Sequence, residues 1–380
     1  MTQEKNTKDV TSKITEYGNP TVSIGTGITA GGGSATVTSS VSNTRTYYYT
    51  SGSTGSVVSE KGTVNLSISS QFFSTSSSAT SGNSLARYSI SGTKLSHTSM
   101  EKNIGYDYCT VKATNAGSSS KTATTTTKVQ NSRGSYYVTS YGKPTKPTLT
   151  SSLTAGGGSA TASGSTVTNS TRRDYTSGSY DTSTESGTVA YYVNSQYFST
   201  SASATSGTSI SRFSISSSTV SHSTMAKNEG YDYCNVVAKN ASDTSKVSDA
   251  SNTISIQNKK TIGTAKLQNS SQNLYSVSGS SPSNVTITYE IYSIDTYSSG
   301  ATGYTNKSGV TASVSCSSTD QYGYNDTRCG VSRNNATDSS GKGSVVIWTY
   351  DNYSGGVYDH MAALSYGGVT RRHTWRQESD

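Results

Sequence analysis

Small apolar or aromatic residues alternate with Ser, Thr and Lys, at a period of two residues, through most of this chain. The runs GTVNLSIS, ARYSISG, YCTVKATN and KTATTTTKVQN each read as a strand with one face buried. SGS, SGN, NAG and NKK punctuate them as turns. The density of Ser, Thr, Gly and Asn works against helix interiors, so the expectation is an all-β protein. The clearest strand is Tyr106–Asn115. Its alternation places Asp107, Cys109, Val111 and Ala113 on a buried face and Tyr106, Tyr108, Thr110 and Lys112 on the other. Asn115-Ala116-Gly117 then turns the chain into a last strand, a sequence of elements like the F–G hairpin of an immunoglobulin-like domain. The tyrosine-corner spacing is not reproduced, because Asp107 and Asp232 stand two residues before the Cys.

The pattern repeats. TAGGGSAT at Thr29–Thr36 returns at Thr154–Thr161, and SQFFSTSSSATSG from Ser70 returns as SQYFSTSASATSG from Ser195. RYSISGTKLSHTSM from Arg87 returns as RFSISSSTVSHSTM from Arg212, and GYDYC returns 125 positions on, Cys109 matching Cys234. A period of 125 is too long for a solenoid and fits a whole sandwich. From Lys259 the register is lost, but NVTITYEIYSI, GVTASVSCSS and GSVVIWTYDN still read as strands. The expected organisation is tandem immunoglobulin-like β-sandwich modules: a flexible, anchoring arm over 1–16, repeats over 17–138 and 139–258, and a divergent sandwich over 259–380. In that third module, Gly343–Asn352 is read as the counterpart of Tyr106–Asn115, with Val346 and Trp348 in the core. Trp375, set among charges near the end, is read as a last strand or an exposed contact segment.

Composition sharpens this picture. Hydrophobic residues make up 30% and charged residues 14%, while Ser and Thr exceed a third of the 380 positions. A disordered chain would be poor in aromatic and β-branched residues, yet 28 Tyr and only 4 Pro are present, which points to thin β-modules. The net charge of +8 suits an anionic neighbour, but the basic residues are scattered and accompany no nucleic-acid motif. No nucleic acid and no membrane are expected as partners. Neither an apolar leader in MTQEKNTKDVTSKITEYG nor a long apolar run is found, so the expectation is synthesis in a host cytoplasm without a signal peptide. Cys109 and Cys234 stand one per repeat and read as free, buried thiols, while Cys316 and Cys329 are read either as thiols or as a pair bridging a hairpin.

Candidate chemistry is sparse. His97 and His222 occupy equivalent places in SHTSM and SHSTM and read as turn residues making local hydrogen bonds, without metal-ligand company. Inward-facing Asp107 and Asp232 call for partners, and Arg87 and Arg212 are the candidates for repeated structural ion pairs. The triple glycines at 31–33 and 156–158 lack the helix and Lys-Ser/Thr of a phosphate loop and read as a tight turn or bulge. No nucleophile elbow accompanies the many serines. The expectation is a protein that is not an enzyme and holds no cofactor or metal. Tyr47, Tyr48, Tyr49, Tyr322 and Tyr324, with Trp375, are the candidate surface-contact residues, since aromatic rings give rigid, amphipathic contact area.

TAGGGSAT, RYSISGTKLSHTSM and CTVKATNAGSSSKTAT together resemble the immunoglobulin-like repeats in virion proteins of gut Bacteroidales phages, including the crAss-like phages. The resemblance covers about Tyr17 to Asn258. It implies a virion-surface head fibre or capsid decoration protein, with capsid or other virion proteins as partners and weak adhesion to host or mucosal glycans. A tail-associated adhesin recognising host polysaccharide and a secreted bacterial adhesin are the alternatives. Slim modules gain little anchoring alone, so a homo-oligomer, dimer or trimer, is also expected.

Overall fold

The computed structural model describes residues 10–50, 52–279, 283–350 and 356–378. It is all-β, and strand pairing gives it three sandwiches. The first runs β1 (Val10–Glu16), β2 (Thr21–Ile24), β3 (Ile28–Thr29), β4 (Gly32–Ser40), β5 (Ser42–Tyr49), β6 (Thr54–Lys61), β7 (Val64–Ser74), β8 (Asn83–Ser84), β9 (Tyr88–Ser91), β10 (Lys94–His97), β11 (Gly105–Asn115) and β12 (Ser118–Asn131). One sheet is ordered β2-β4-β10-β9 and the other β12-β11-β7-β8. These are the A-B-E-D and G-F-C-C′ layers of an immunoglobulin-like sandwich. Val37, Tyr88 and Leu95 from one sheet close on Cys109 and Val111 from the other. Asp107, Cys109, Val111 and Ala113 are all fully buried, on the face that the alternation selects.

The second repeat continues with β13 (Tyr137–Ser140), β14 (Thr148–Ser151), β15 (Gly158–Ser163), β16 (Thr168–Asp174), β17 (Tyr180–Ser186), β18 (Val189–Ser199), β19 (Thr208–Ser209), β20 (Phe213–Ser216), β21 (Thr219–His222), β22 (Gly230–Asn240), β23 (Asp243–Val247) and β24 (Ile254–Asn258). Its sheets are β14-β15-β21-β20 and β19-β18-β22-β23, with β24 also on β22. The last strand is split because Ser248 and Ser251 turn their hydroxyls onto the backbone N–H groups of Ala238 and Val236.

The third module comprises β25 (Lys260–Thr261), β26 (Lys266–Gln272), β27 (Ser276–Ser278), β28 (Ser283–Tyr297), β29 (Thr302–Asn306), β30 (Ser313–Asp320), β31 (Asn325–Asp326), β32 (Cys329–Asn335), β33 (Lys342–Thr349), β34 (Val357–Tyr366) and β35 (Val369–Glu378). The layers are β26-β28-β33-β32 and β27-β35-β34-β30-β31, with β27 parallel to β35. This sandwich thus keeps the immunoglobulin-like order although its sequence has left the repeat. Lys342–Thr349 fills the E position, not F, and buries Val345 and Ile347 while Trp348 stays 36% exposed. The expected phase, with Val346 and Trp348 inside, is corrected: in VVIW both phases are apolar, so alternation alone does not choose. Trp375 lies on the last strand, as one of its two readings has it, but its reading as a surface contact is corrected: it is buried on β35, its ring 5.5 Å from that of His360, because alternation along β35 turns it inward and leaves Arg372 and Arg376 outside.

In each module the B strand runs on into an arm before the chain returns to C: β5–β6, β16–β17 and the end of β28 with β29. A leading strand flanks each arm, β1 on β5, β13 on β16 and β25 on β28. The arm expected to be flexible over 1–16 therefore contains a paired strand, Val10–Glu16, and its first nine residues lie outside the described ones. By packing, the chain divides into two compact units, Met1–Gly142 with Thr168–Ser186, and Lys143–Val167 with Gly187–Asp380. The cut departs from the sequence boundaries because the second arm packs within the first unit.

Cys316 and Cys329 are bonded, with Cα atoms 6.0 Å apart. They join β30 to β32 and so tie one sheet of the third sandwich to the other, not two strands of a hairpin. Cys109 and Cys234 are free and buried. Cys316→Ser is expected to lower the stability of the third sandwich by roughly 2–4 kcal/mol, read from urea unfolding monitored at Trp348 and Trp375. An unchanged midpoint in non-reducing buffer would show that the bond contributes nothing.

Candidate functional site

Four elements meet at one end of the first sandwich: the β3–β4 turn, the start of β9, the end of β10 and the start of β11. The F-strand alternation turns Asp107 inward here, where an unpaired carboxylate would be prohibitively costly. Arg87, one residue before β9, closes on it through a two-toothed contact, Nε to Oδ2 at 2.5 Å and Nη2 to Oδ1 at 2.6 Å. His97 Nε2 lies 3.0 Å from Asp107 Oδ2, and His97 Nδ1 lies 3.0 Å from the carbonyl oxygen of Thr29. Both ring nitrogens thus face oxygen atoms. The Tyr88 ring packs 4.5 Å from that of His97, and its hydroxyl donates to the Asp107 carbonyl.

The second repeat rebuilds the cluster. Arg212 grips Asp232 with both Nε and Nη2, His222 Nε2 is 3.0 Å from Asp232 Oδ2, and His222 Nδ1 is 3.1 Å from Thr154 O. Phe213 replaces Tyr88 against the imidazole. The expected ion pairs Arg87–Asp107 and Arg212–Asp232 are therefore both formed. The reading of His97 and His222 as turn residues is corrected, since both are buried and complete the carboxylate's shell. Burial pushes the Asp107 and Asp232 carboxyls up, but the bonds from arginine and histidine outweigh it and hold both below the usual carboxylate range. Burial also pushes the Cys109 and Cys234 thiols up to about 12, so neither is a ready nucleophile.

Above each cluster is a socket that the sequence pattern did not reveal. Asn131 ends β12 almost fully buried, and its amide works in two directions. Nδ2 donates to the carbonyls of Glu101 and Asn103 at 2.8 and 2.9 Å, closing the loop between β10 and β11. Oδ1 accepts from Thr176 Oγ1 and from the Ser177 N–H, both at 3.0 Å, at the tip of the β16–β17 arm. The Ser177 hydroxyl donates to Glu101 O. Asn258, at the end of β24, repeats every contact. Nδ2 donates to Ala226 O and Asn228 O, Oδ1 accepts from Ser298 Oγ and Ser299 N, and the Ser299 hydroxyl donates to Ala226 O at 2.5 Å.

The triple glycines belong to this socket. Gly32 and Gly33 adopt φ of 109° and 125°, as the turn reading expects. Gly31 has a different role: a Cβ there would sit 3.0 Å from the Ser177 carbonyl, and one on Gly156 would sit 3.2 Å from that of Ser299. The recurring QN at the ends of β12 and β24, with Tyr-Thr-Ser-Gly and Tyr-Ser-Ser-Gly at the arm tips, was the available signal.

The tyrosines divide. Tyr322 and Tyr324 are 76% and 72% exposed on the β30–β31 turn, where Asp320 Oδ1 accepts both their N–H groups. Tyr47, Tyr48 and Tyr49 are half-buried along β5, with Lys13 over the Tyr48 ring. Tyr289, Glu290, Asn269 and Lys342 line an open polar groove of about 590 Å³ in the third module. Among the described residues no three His, Cys, Asp or Glu side chains are grouped as metal ligands.

No family model matches the chain, and no curated protein does. Among solved structures, it is similar to the titin three-domain fragment I67–I69 at 9% identity, over 95% of this chain and 98% of that one, with a TM-score of 0.18. It is also similar to an endo-fucoidan hydrolase of glycoside hydrolase family 107 at 12% identity, over 95% and 44%, with a TM-score of 0.16. Likenesses this slight carry no functional argument.

Removing Asp107 with Asp107→Ala leaves the half-buried Arg87 without its counter-charge and the buried His97 without its partner, and is expected to cost about 3–5 kcal/mol at pH 7. Because the folded carboxyl titrates below its unfolded value of about 3.9, its contribution is complete above that value and is lost as pH falls through the folded value. Acid unfolding of the variant should therefore be flatter below about pH 4 than that of the parent. A variant within about 0.5 kcal/mol of the parent in urea would contradict this account.

Proposed function

We propose that this chain is a structural virion protein, a capsid-attached head fibre or decoration protein that displays immunoglobulin-like modules on a phage particle. The observation that carries this reading is the joint: an arm tip seated on a socket asparagine, built twice from the same bonds. Such a joint suits a protein whose work is to hold modules in series. In both repeats the buried carboxylate is fully shielded from solvent and bound to an arginine in a bracing role. The resemblance of the repeats to phage virion modules supplies the particle. Capsid proteins, other virion proteins and further copies of the chain are the proposed partners.

Weak adhesion to host or mucosal glycans is the proposed role of Tyr322 and Tyr324, whose rings stand in solvent on a turn that Asp320 holds fixed. Stacking of sugar faces on aromatic rings needs this exposure and rigidity.

Immunogold labelling of intact virions is expected to mark the capsid. Label confined to the tail would replace this reading with the tail-adhesin one, and label on the bacterial envelope alone would sink both. Tyr322→Ala with Tyr324→Ala is expected to cut retention on a mucin surface roughly tenfold, the effect of losing a binding hot spot, without changing the unfolding midpoint. Equal retention would remove the glycan role.

A further inference from the structure

A strand at the edge of a sheet presents a row of unpaired backbone N–H and C=O groups. The last strand of each sandwich is where such an edge falls, and two of the three close or blunt it. In the second sandwich the last strand breaks between β23 and β24, and the break carries Asp249, whose carboxylate is 2.8 Å from Lys143 Nζ. Beside it, Asn252 Oδ1 accepts from the Leu149 N–H at 2.9 Å and Nδ2 donates to Leu149 O at 3.0 Å. The broken strand is thereby tied to β14 in the other sheet. In the third sandwich β27 pairs with the end of β35, and Arg371, further back along β35, donates to Gln268 O on β26 at 3.0 Å.

The first sandwich does neither. β12 runs unbroken for 14 residues, and among the described residues it pairs with β11 alone. Its centre reads KTATTTTK over 121–128, an uncharged stretch without Gly or Pro between two lysines. Threonines suit a pleated surface and pair well across strands. Thr110 and Thr126 already do so between β11 and β12, their hydroxyls 2.9 Å apart. Thr124 and Thr126 are exposed on one face, while Val129 is buried on the other. A second copy of β12 fits this edge. A two-fold axis normal to the sheet at Thr124 sets buried face beside buried face. It brings Thr122 opposite Thr126, and places Lys121 and Lys128 opposite Thr127 and Ser120, so that no like charges meet. The far edge of the same sheet is β8, two residues long, so the pairing closes at two copies.

We propose that the free edge of β12 is a self-association site, where two copies of the chain pair antiparallel through this strand and join their four-stranded sheets into one. Further copies of the chain are among the partners proposed above, and this inference rests on that part of the reading and gives it a surface. It concerns the isolated chain and stands whether or not the particle is a virion.

The test uses the full chain. Thr124→Cys adds one exposed thiol to a protein whose other cysteines are buried or bonded to each other. Directly opposed residues have Cα atoms about 4.5–5.5 Å apart, within the reach of a disulfide, so mild oxidation is expected to turn most of this variant into a covalent dimer. Lys112→Cys is the control. It lies opposite Thr124 on β11, one strand further in and about 14 Å from its copy, and is expected to give roughly tenfold less covalent dimer. In sedimentation at tens of micromolar the parent is expected to dimerise. Thr124→Asp sets two carboxylates opposite each other and is expected to weaken that dimer at least about tenfold. Protection of Cys109 from a thiol reagent reports that the first sandwich is folded. Where Thr124→Asp exposes Cys109, Thr124→Lys takes its place with the same expected loss. A parent that stays monomeric overturns the proposal and leaves the edge to a different protein. Equal cross-linking from positions 124 and 112 overturns it too, as does a dimer that a folded charged variant leaves unweakened.

Discussion

A carboxylate with no access to water, held by an arginine and a histidine, is the constraint on which the first two sandwiches turn. Asp107 cannot leave the core without breaking the F strand's alternation, and cannot stay there without Arg87 and His97. Each partner comes from a different element, and His97 carries the restraint onward to the Thr29 carbonyl in the turn before β4. Next to that turn, Ala30 O accepts the Met100 N–H from the β10–β11 loop. The cluster therefore clamps together the two loops that form the socket. A buried ion pair of this kind adds little net stability over an apolar replacement; what it contributes is a fixed geometry in a core built largely from Val, Ala and Cys.

The socket turns that geometry into a joint. Loop carbonyls meet the Ser177 N–H and the Thr176 hydroxyl of an incoming turn here, and one buried asparagine amide serves both sides at once. The surrounding contacts are free to vary. Lys102 pairs with Asp181 in one joint, whereas its counterpart Lys227 lies over the Tyr304 ring in the other. The third sandwich has lost the carboxylate cluster and carries a cross-sheet disulfide and a larger aliphatic core instead.

Much of this was legible in the sequence, for physical reasons that differ from element to element. The 125-residue repeat and the all-β class follow from identity and period. The buried face of β11 and the Arg87–Asp107 pair follow from alternation plus the cost of an unpaired charge. His97 was misread because its neighbours are Ser and Thr, and nothing local shows that its ring turns inward to a strand ten residues on. The phase of β33 was ambiguous because VVIW is apolar in both phases, and Trp375 among arginines gave no local hint of burial. The joints were missed since their signal, QN and Tyr-Thr-Ser-Gly, consists of ordinary turn residues whose meaning appears only when two distant segments meet.

The central claim is that the buried cluster braces the socket and, through it, the joint. Hydrogen exchange at the Ser177 amide, which donates to Asn131 Oδ1, tests it most directly. Asp107→Asn keeps the size of the side chain but removes the charge that holds Arg87 and His97. The account predicts that Ser177 is protected in the parent and exchanges at least about tenfold faster in this variant, a loss of about 1.4 kcal/mol in local closure, while amides in the core of β11 stay protected. Unchanged protection at Ser177, with the cluster broken, would contradict it.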